Sequence, residues 1–220
     1  MLGANGHLTA EGIWISGRPA HRERSVAGLL LDRDGVLVNE VNYLHRREDV
    51  VLMPGAICLL RWAAEREIPV AVVTNQAGIA RGKFGWTQFE AVQDEIARQL
   101  SAEGICLDLI LACPFHPEYT RGWCDAFAYW RKPGPGMLRR AAEMLNLDLK
   151  NSWLIGDNES DIASAKAAGM GASMHVMTGH GPRYRQNALA LMDANFEVVA
   201  ARDLREAQVL LQDRWAIKPR

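Results

Sequence analysis

The sequence predicts an α/β fold in three layers, with helices on both faces of a mainly parallel sheet. Short apolar runs recur along the chain, and the stretches between them repeat their apolar residues at helical spacing. Each of the central runs ends in acids, a hydroxyl or an amide, the placement expected at strand tips, where open α/β sheets bind ligands. With 220 residues and 49% hydrophobic content, the chain suffices for one well-buried domain, and two would be cramped.

Residues 1–25 read as an N-terminal extension whose one apolar knot, Ile13-Trp14-Ile15, is expected to pin it to the domain surface; residues 26–220 read as a single domain. Val26 to Leu31 is apolar throughout, as a strand buried on both faces requires. Pro54-Gly55 opens a helix with Ile57, Leu60 and Ala64 toward the sheet. Ile68 to Val73 is a second buried strand. Thr87-x-x-Glu90 has capping-box spacing, and the helix behind it carries Phe89, Val92, Ile96 and Leu100 on one stripe. Leu107 to Ala112 is the third strand. Pro135 to Leu147 is a helix facing inward with Met137, Leu138, Ala141, Met144 and Leu145. After the strand Trp153 to Ile155, Ile162 to Ala168 is a short helix stopped by Gly169. Ser173 to Met177 and Phe196 to Val199 are the late strands, and Leu204 to Leu211 is the closing helix. Only about twenty residues separate Asp34 from Pro54, which leaves no room for an inserted domain there.

A net charge of −1 and the lack of any basic block argue against nucleic acid as a partner. No apolar run approaches the ~20 residues of a membrane span. The N-terminal residues have neither a basic nor an apolar leader region. Four scattered cysteines make no disulfide framework. The expectation is a cytoplasmic protein without membrane contact, acting as a monomer.

Asp32-Arg33-Asp34-Gly35 follows the first buried strand. One acid at such a tip can attack phosphorus, and a second two residues on can handle protons. Alone, the stretch is also an ordinary polar turn. Thr74-Asn75-Gln76 follows the second strand, Arg131-Lys132-Pro133 precedes a helix, and Gly156-Asp157-Asn158-Glu159-Ser160-Asp161 follows the strand at Trp153. Each has a bland reading too: Thr74 as a strand end, Lys132 as a surface charge, Asp157 and Asp161 as a helix cap and first-turn acid. Their order along the chain argues against all of these holding at once.

In that order the segments resemble the four motifs of the haloacid-dehalogenase (HAD) superfamily of aspartate-nucleophile phosphatases. Thr74-Asn75-Gln76-Ala77-Gly78-Ile79-Ala80-Arg81-Gly82-Lys83-Phe84 and Arg131-Lys132-Pro133-Gly134-Pro135-Gly136-Met137-Leu138 are similar to the subfamily IIIA branch. That branch holds the D-glycero-D-manno-heptose 1,7-bisphosphate and histidinol-phosphate phosphatases. The resemblance implies a Rossmann-like fold with a minimal loop cap and a Mg²⁺-dependent enzyme acting on a small phosphorylated metabolite. Asp32 is then the nucleophile that forms an aspartyl-phosphate, and Asp34 the general acid and base. Mg²⁺ is held by Asp32, the Asp34 backbone carbonyl and Asp157, with Asp161 acting through water. Thr74 and Lys132 hold the phosphoryl group, while Asn75 and Arg131 contact the substrate beyond it.

Many members of the branch carry a structural zinc in a Cys-x-His, Cys-x-Cys loop. Here the loop has Phe115 and Ala126 where two ligands are expected. Cys113, His116, Cys124 and Asp125 would be the substitute set, and a closed zinc site needs four ligands. The expectation is therefore a loop held by aromatic packing, without zinc. Asn158 and Ala77 replace a lysine and a serine usual in the branch. A heptose bisphosphate is the leading substrate and histidinol phosphate the alternative; a non-catalytic phosphometabolite-binding protein is the reading of another class. His45, His175 and His180 are expected at the surface or in packing, and Cys58 and Cys106 as small buried hydrophobes.

Overall fold

Leu29, Leu30 and Leu31 are fully buried and form the central strand of the sheet, which is why the sequence here is an unbroken apolar run. The computed structural model describes residues 6–17 and 23–216. Its strands are β1 (His7–Leu8), β2 (Trp14–Gly17), β3 (Leu29–Leu31), β4 (Val70–Asn75), β5 (Leu109–Cys113), β6 (Trp153–Gly156), β7 (Ala172–His175) and β8 (Glu197–Ala200). The helices are α1 (Ala56–Glu65), α2 (Ala77–Ala80), α3 (Trp86–Ala102), α4 (Asp125–Trp130), α5 (Gly136–Leu145), α6 (Glu159–Ala168), α7 (Gly181–Leu189) and α8 (Leu204–Ala216).

The strands make one sheet in the order β1-β2-β5-β4-β3-β6-β7-β8. Every pairing from β5 to β8 is parallel, and β2 closes the β5 edge antiparallel. From β3 the chain runs outward through β4 and β5, then returns to the other side of β3 as β6. That reversal opens a crevice at the carboxyl ends of β3 and β6, the place where such sheets bind ligands.

Alternation along the strands divides the core into two layers. Leu29 and Leu31 pack with Leu59 of α1, Phe89, Val92, Ile96 and Leu100 of α3, and Leu204 and Leu211 of α8. Leu30 faces the other way, toward Met137, Leu138 and Ala141 of α5, Ile162 and Ala165 of α6, and Ala188 of α7. Burying each leucine contributes about 1.5–3 kcal/mol.

Several expectations are corrected. Helix α1 buries Ala56, Leu59, Leu60, Trp62 and Ala63, leaving Ala64 exposed, because Trp62 claims the inner side and packs edge-on against Trp215 at 5.6 Å. The cap of α3 lies two residues earlier than Thr87: Gly85 is the N-cap, and the Gln88 side chain accepts from its N–H at 3.0 Å. Cys58 and Cys106 are exposed rather than buried. Ile13-Trp14-Ile15 does more than touch the surface. Trp14 and Ile15 are sheet residues, and Trp14 packs edge-on against Phe89 at 5.0 Å with its Nε1 donating to Glu90. Residues 1–5 and 18–22 of the expected extension, and 217–220 at the far end, lie outside the described residues. Among the described residues no helix is long and apolar enough to cross a membrane.

Candidate active site

The strand tips converge on one buried ammonium. Lys132 lies just ahead of α5, and its Nζ sits 2.8 Å from Asp32 Oδ1 and 2.7 Å from Asp161 Oδ1, while donating to the Val73 carbonyl at 2.9 Å. Its backbone is fixed by Asn75, whose Oδ1 accepts from Lys132 N at 3.1 Å and whose Nδ2 donates to Lys132 O at 3.0 Å. The sequence points Asn75 at substrate; in the structure its amide is engaged by the lysine's peptide groups.

Asp32 follows β3, and its Oδ1 also accepts from the Arg33 N–H at 2.7 Å. Asp157 follows β6, and its Oδ2 accepts from the His180 backbone N–H at 2.6 Å. Gly35 and Gly179, both at positive φ (79° and 53°), close over that same oxygen, and a Cβ on either would run into it. Asp161 stands in the first turn of α6. Its Oδ2 accepts from Asn158 N at 3.0 Å, half of a capping box that Asn158 completes, and its Oδ1 makes the ion pair with Lys132 without hydrogen-bond alignment.

Two carboxylates touch one ammonium and Asp157 stands close to both, and the excess of negative charge shows in the pKa values of Asp32 and Asp157. Burial, then the charges of Asp161 and Asp34, raise Asp32 to about 7 against the pull of Lys132. Burial, then Asp32 and Asp161, raise Asp157 to about 8. Burial opposes the charged form of Lys132, but Asp161 and Asp32 outweigh it and raise its pKa. Asp32, Asp157 and Asp161 each bring an oxygen within 4.8 Å of the others. Buried, oxygen-only and short of positive charge, the trio fits a hard divalent cation such as Mg²⁺.

The pH dependence of stability follows. A folded-state pKa above the ordinary 3.8 means the folded protein holds its proton longer than the unfolded chain. The contribution of these carboxyls is therefore full below pH ~4 and lost as pH rises through about 7 to 8. Bound Mg²⁺ needs the ionised form, so it should raise Tm more at pH 8 than at pH 5. Thermal unfolding with EDTA or Mg²⁺ at both values measures this, and equal shifts would contradict the assignment.

Asp34 is held from two sides. Arg33, 1% exposed, donates from Nε and Nη2 to Oδ1 and from Nη2 to Oδ2, and Gln76 Nε2 donates to Oδ2 at 2.9 Å. The same Gln76 nitrogen reaches Thr74 Oγ1 at 2.9 Å. Neither Arg33 nor Gln76 stands out in the sequence, although Gln76, two residues past Thr74, shares the strand-end side on which Thr74 was sought.

The loop after β5 leads into α4. Cys113, His116 and Cys124 do not assemble: among the described residues, the acid trio is the one group of three metal-binding side chains within reach of each other. Cys113 is buried in β5, and burial pushes its thiol up to about 12. His116 Nε2 faces an Arg81 guanidinium nitrogen at 2.9 Å, which occupies the atom a metal would take. Rings hold the loop: Phe115 lies 4.3 Å from Phe127, and Arg81 lies 4.4 Å over Tyr119. Arg131 Nη1 donates to Phe115 O at 2.9 Å. His180 is exposed, whereas His175 is fully buried behind Asp157, and burial there lowers it to about 4.

Comparison with known proteins gives consistent matches. A family profile described as HAD-hydrolase-like covers residues 129–207. The D-glycero-β-D-manno-heptose-1,7-bisphosphate 7-phosphatase of Mesorhizobium japonicum is 39% identical over 168 residues, 74% of this chain and 76% of the relative. The α-anomer 7-phosphatase of Photorhabdus laumondii is 37% identical over 160 residues, 73% of this chain and 86% of the relative. A HAD-like phosphatase structure from Mesorhizobium loti superposes with a TM-score of 0.80 at 33% identity, covering 97% of this chain and 98% of that one. The D,D-heptose 1,7-bisphosphate phosphatase of B. bronchiseptica, complexed with magnesium and phosphate, gives 0.73 at 28% identity, covering 85% and 99%.

Proposed function

The chain belongs to the HAD-like phosphatases, and from that premise we propose that it removes the 7-phosphate of D-glycero-D-manno-heptose 1,7-bisphosphate in the cytoplasm. The observation that carries the reading is the buried cluster of Asp32, Asp157 and Asp161 around Lys132 at the sheet's reversal point.

Asp32 Oδ1 is engaged by the Arg33 N–H and Lys132, so its second oxygen attacks phosphorus. As the phosphorus–oxygen bond to the sugar breaks, Asp34 gives its proton to the leaving oxygen. In the second half Asp34 takes a proton from water, which attacks the aspartyl-phosphate and frees Asp32. Thr74 donates to a phosphoryl oxygen, and Lys132 offsets the charge of the transferring group. Asp32, Asp157 and the Asp34 carbonyl would hold Mg²⁺, with Asp161 in the outer shell; bound there, the ion supplies the charge neutralisation that lets a carboxylate approach a phosphate. Arg131 takes the second phosphate together with Arg81, its neighbour across His116, since paired guanidinium groups suit an anionic oxygen fork.

Mg²⁺-dependent phosphate release from both heptose bisphosphate anomers, histidinol phosphate and simple hexose phosphates tests the reading. The expected outcome is a kcat/KM at least ~10-fold higher for one heptose anomer than for any other compound, worth about 1.4 kcal/mol of transition-state preference. Preference for histidinol phosphate, or no turnover of any compound, would overturn it.

A further inference from the structure

Gln76 spans two groups on which the reaction depends. Its Nε2 lies 2.9 Å from Asp34 Oδ2 and 2.9 Å from Thr74 Oγ1, so one NH₂ group spends both hydrogens on two reactive oxygens. The residue is 3% exposed, and its backbone N–H donates to Cys113 O at 2.7 Å, which ties it to the end of β5. We propose that Gln76 is a positioning residue that aligns Asp34 for proton transfer and Thr74 for phosphoryl binding.

Two consequences follow from the donor count. Thr74 Oγ1 accepts from Gln76, so the hydroxyl keeps its own hydrogen to give to a phosphoryl oxygen. Asp34 is gripped at Oδ2 by Gln76 and across both oxygens by Arg33, so its carboxyl cannot turn about its own axis without losing both partners. Arg33 is itself fixed, with its guanidinium 5.4 Å from the Phe89 ring centre. The acid that must meet the departing oxygen is thus held in one orientation by the two residues flanking it.

The proposal rests on the reading of Asp34 as the acid, and leaving-group dependence tests both while keeping them apart. kcat/KM reports the steps up to leaving-group departure. It is compared between 4-nitrophenyl phosphate, whose leaving group departs without a proton, and the best alkyl phosphate of the panel. Gln76→Met removes both donated hydrogens and keeps the side chain's length and volume. It should lower the alkyl value at least ~10-fold further than the aryl value, within the range general acids supply. Gln76→Glu, which sets a carboxylate against Asp34, should widen that difference. Thermal unfolding checks that each variant folds; if the Met variant does not, Gln76→Asn, whose NH₂ is drawn back by one methylene, replaces it.

Equal losses on both substrates, or no loss, would overturn the proposal. Asp34→Asn run alongside separates the two readings. If it shows the alkyl-selective loss and the Gln76 variants do not, the positioning role alone fails. If Asp34→Asn shows no such selectivity, the acid assignment fails and takes the proposal with it.

Discussion

Asp32→Asn should abolish Mg²⁺-dependent phosphate release, with a loss on the order of 10⁴- to 10⁶-fold, while the protein stays folded. Asparagine matches aspartate in shape and still accepts the Arg33 N–H, but its amide cannot form the acyl-phosphate. The stability side is set by charge. Asp32 shares a buried site with Asp157 and Asp161, and its pKa of about 7 means that ionisation there costs free energy. Removing that charge relieves the repulsion, while Lys132 keeps Asp161 as its partner. The Tm of the variant in EDTA at pH 8 should equal or exceed that of the wild type, and Mg²⁺ should raise it less. Activity above a hundredth of the wild-type rate would remove Asp32 from the nucleophile's role. A lower Tm would show that Asp32 is needed as a counter-ion for Lys132.

The sheet and its tips are legible in the sequence because central parallel strands leave little choice of residue. Leu29 to Leu31, Val70 to Val73 and Trp153 to Ile155 are each buried on both faces, so each reads as a short apolar run with its chemistry directly behind it. Helices whose stripe faces one layer are legible for the same reason, as in Phe89, Val92, Ile96 and Leu100 of α3. Helix α7 is not legible: it buries only Gly181 and Ala188, so it has no stripe to find. Helix α4 is short and buries Trp130 alone. Strand β2 was hidden by its place in the chain, since pairing with β5 is a contact between distant segments that no local pattern encodes.

Within the site, the acids, Lys132 and Thr74 are legible, and Arg33 and Gln76 are not. Asp32 and Asp157 follow buried strands and Lys132 and Asp161 stand at helix starts, and the structure gathers all four. The two amides take different partners. Asn75 looks like a substrate contact in sequence, and both ends of its amide meet the Lys132 peptide groups; Gln76, two positions past Thr74, reaches Thr74 Oγ1 and Asp34 Oδ2. Strand direction separates them: at a strand end, neighbours point to opposite sides and residues two apart to the same side.

Lys132→Met should be the most destabilising single change in the site. The side chain is 2% exposed and stands between Asp32 and Asp161, the latter 1% exposed, so the variant strands two carboxylates in low dielectric. Breaking a buried pair from one side costs about 3–5 kcal/mol. For a domain of this size that corresponds to a Tm lower by roughly 6–20 °C. The loss should shrink in acid. Without the ammonium, whose charge pulls the Asp32 pKa down, Asp32 binds its proton still more readily when folded, so the variant gains stability relative to wild type as pH falls from 8 to 5. Adding Asp161→Asn removes one stranded charge, and the double variant should recover part of the loss, the non-additivity expected of groups in contact. Thermal unfolding of the single and double variants in EDTA at both pH values gives all three comparisons. A single-variant Tm within ~2 °C of wild type at pH 8, below the shift that 1 kcal/mol produces, would show that the buried ammonium is not what holds the carboxylates together. Turnover by the variant should fall with it, because in the proposed mechanism the charge that balances Asp32 and Asp161 is also the one that offsets the transferring phosphoryl group.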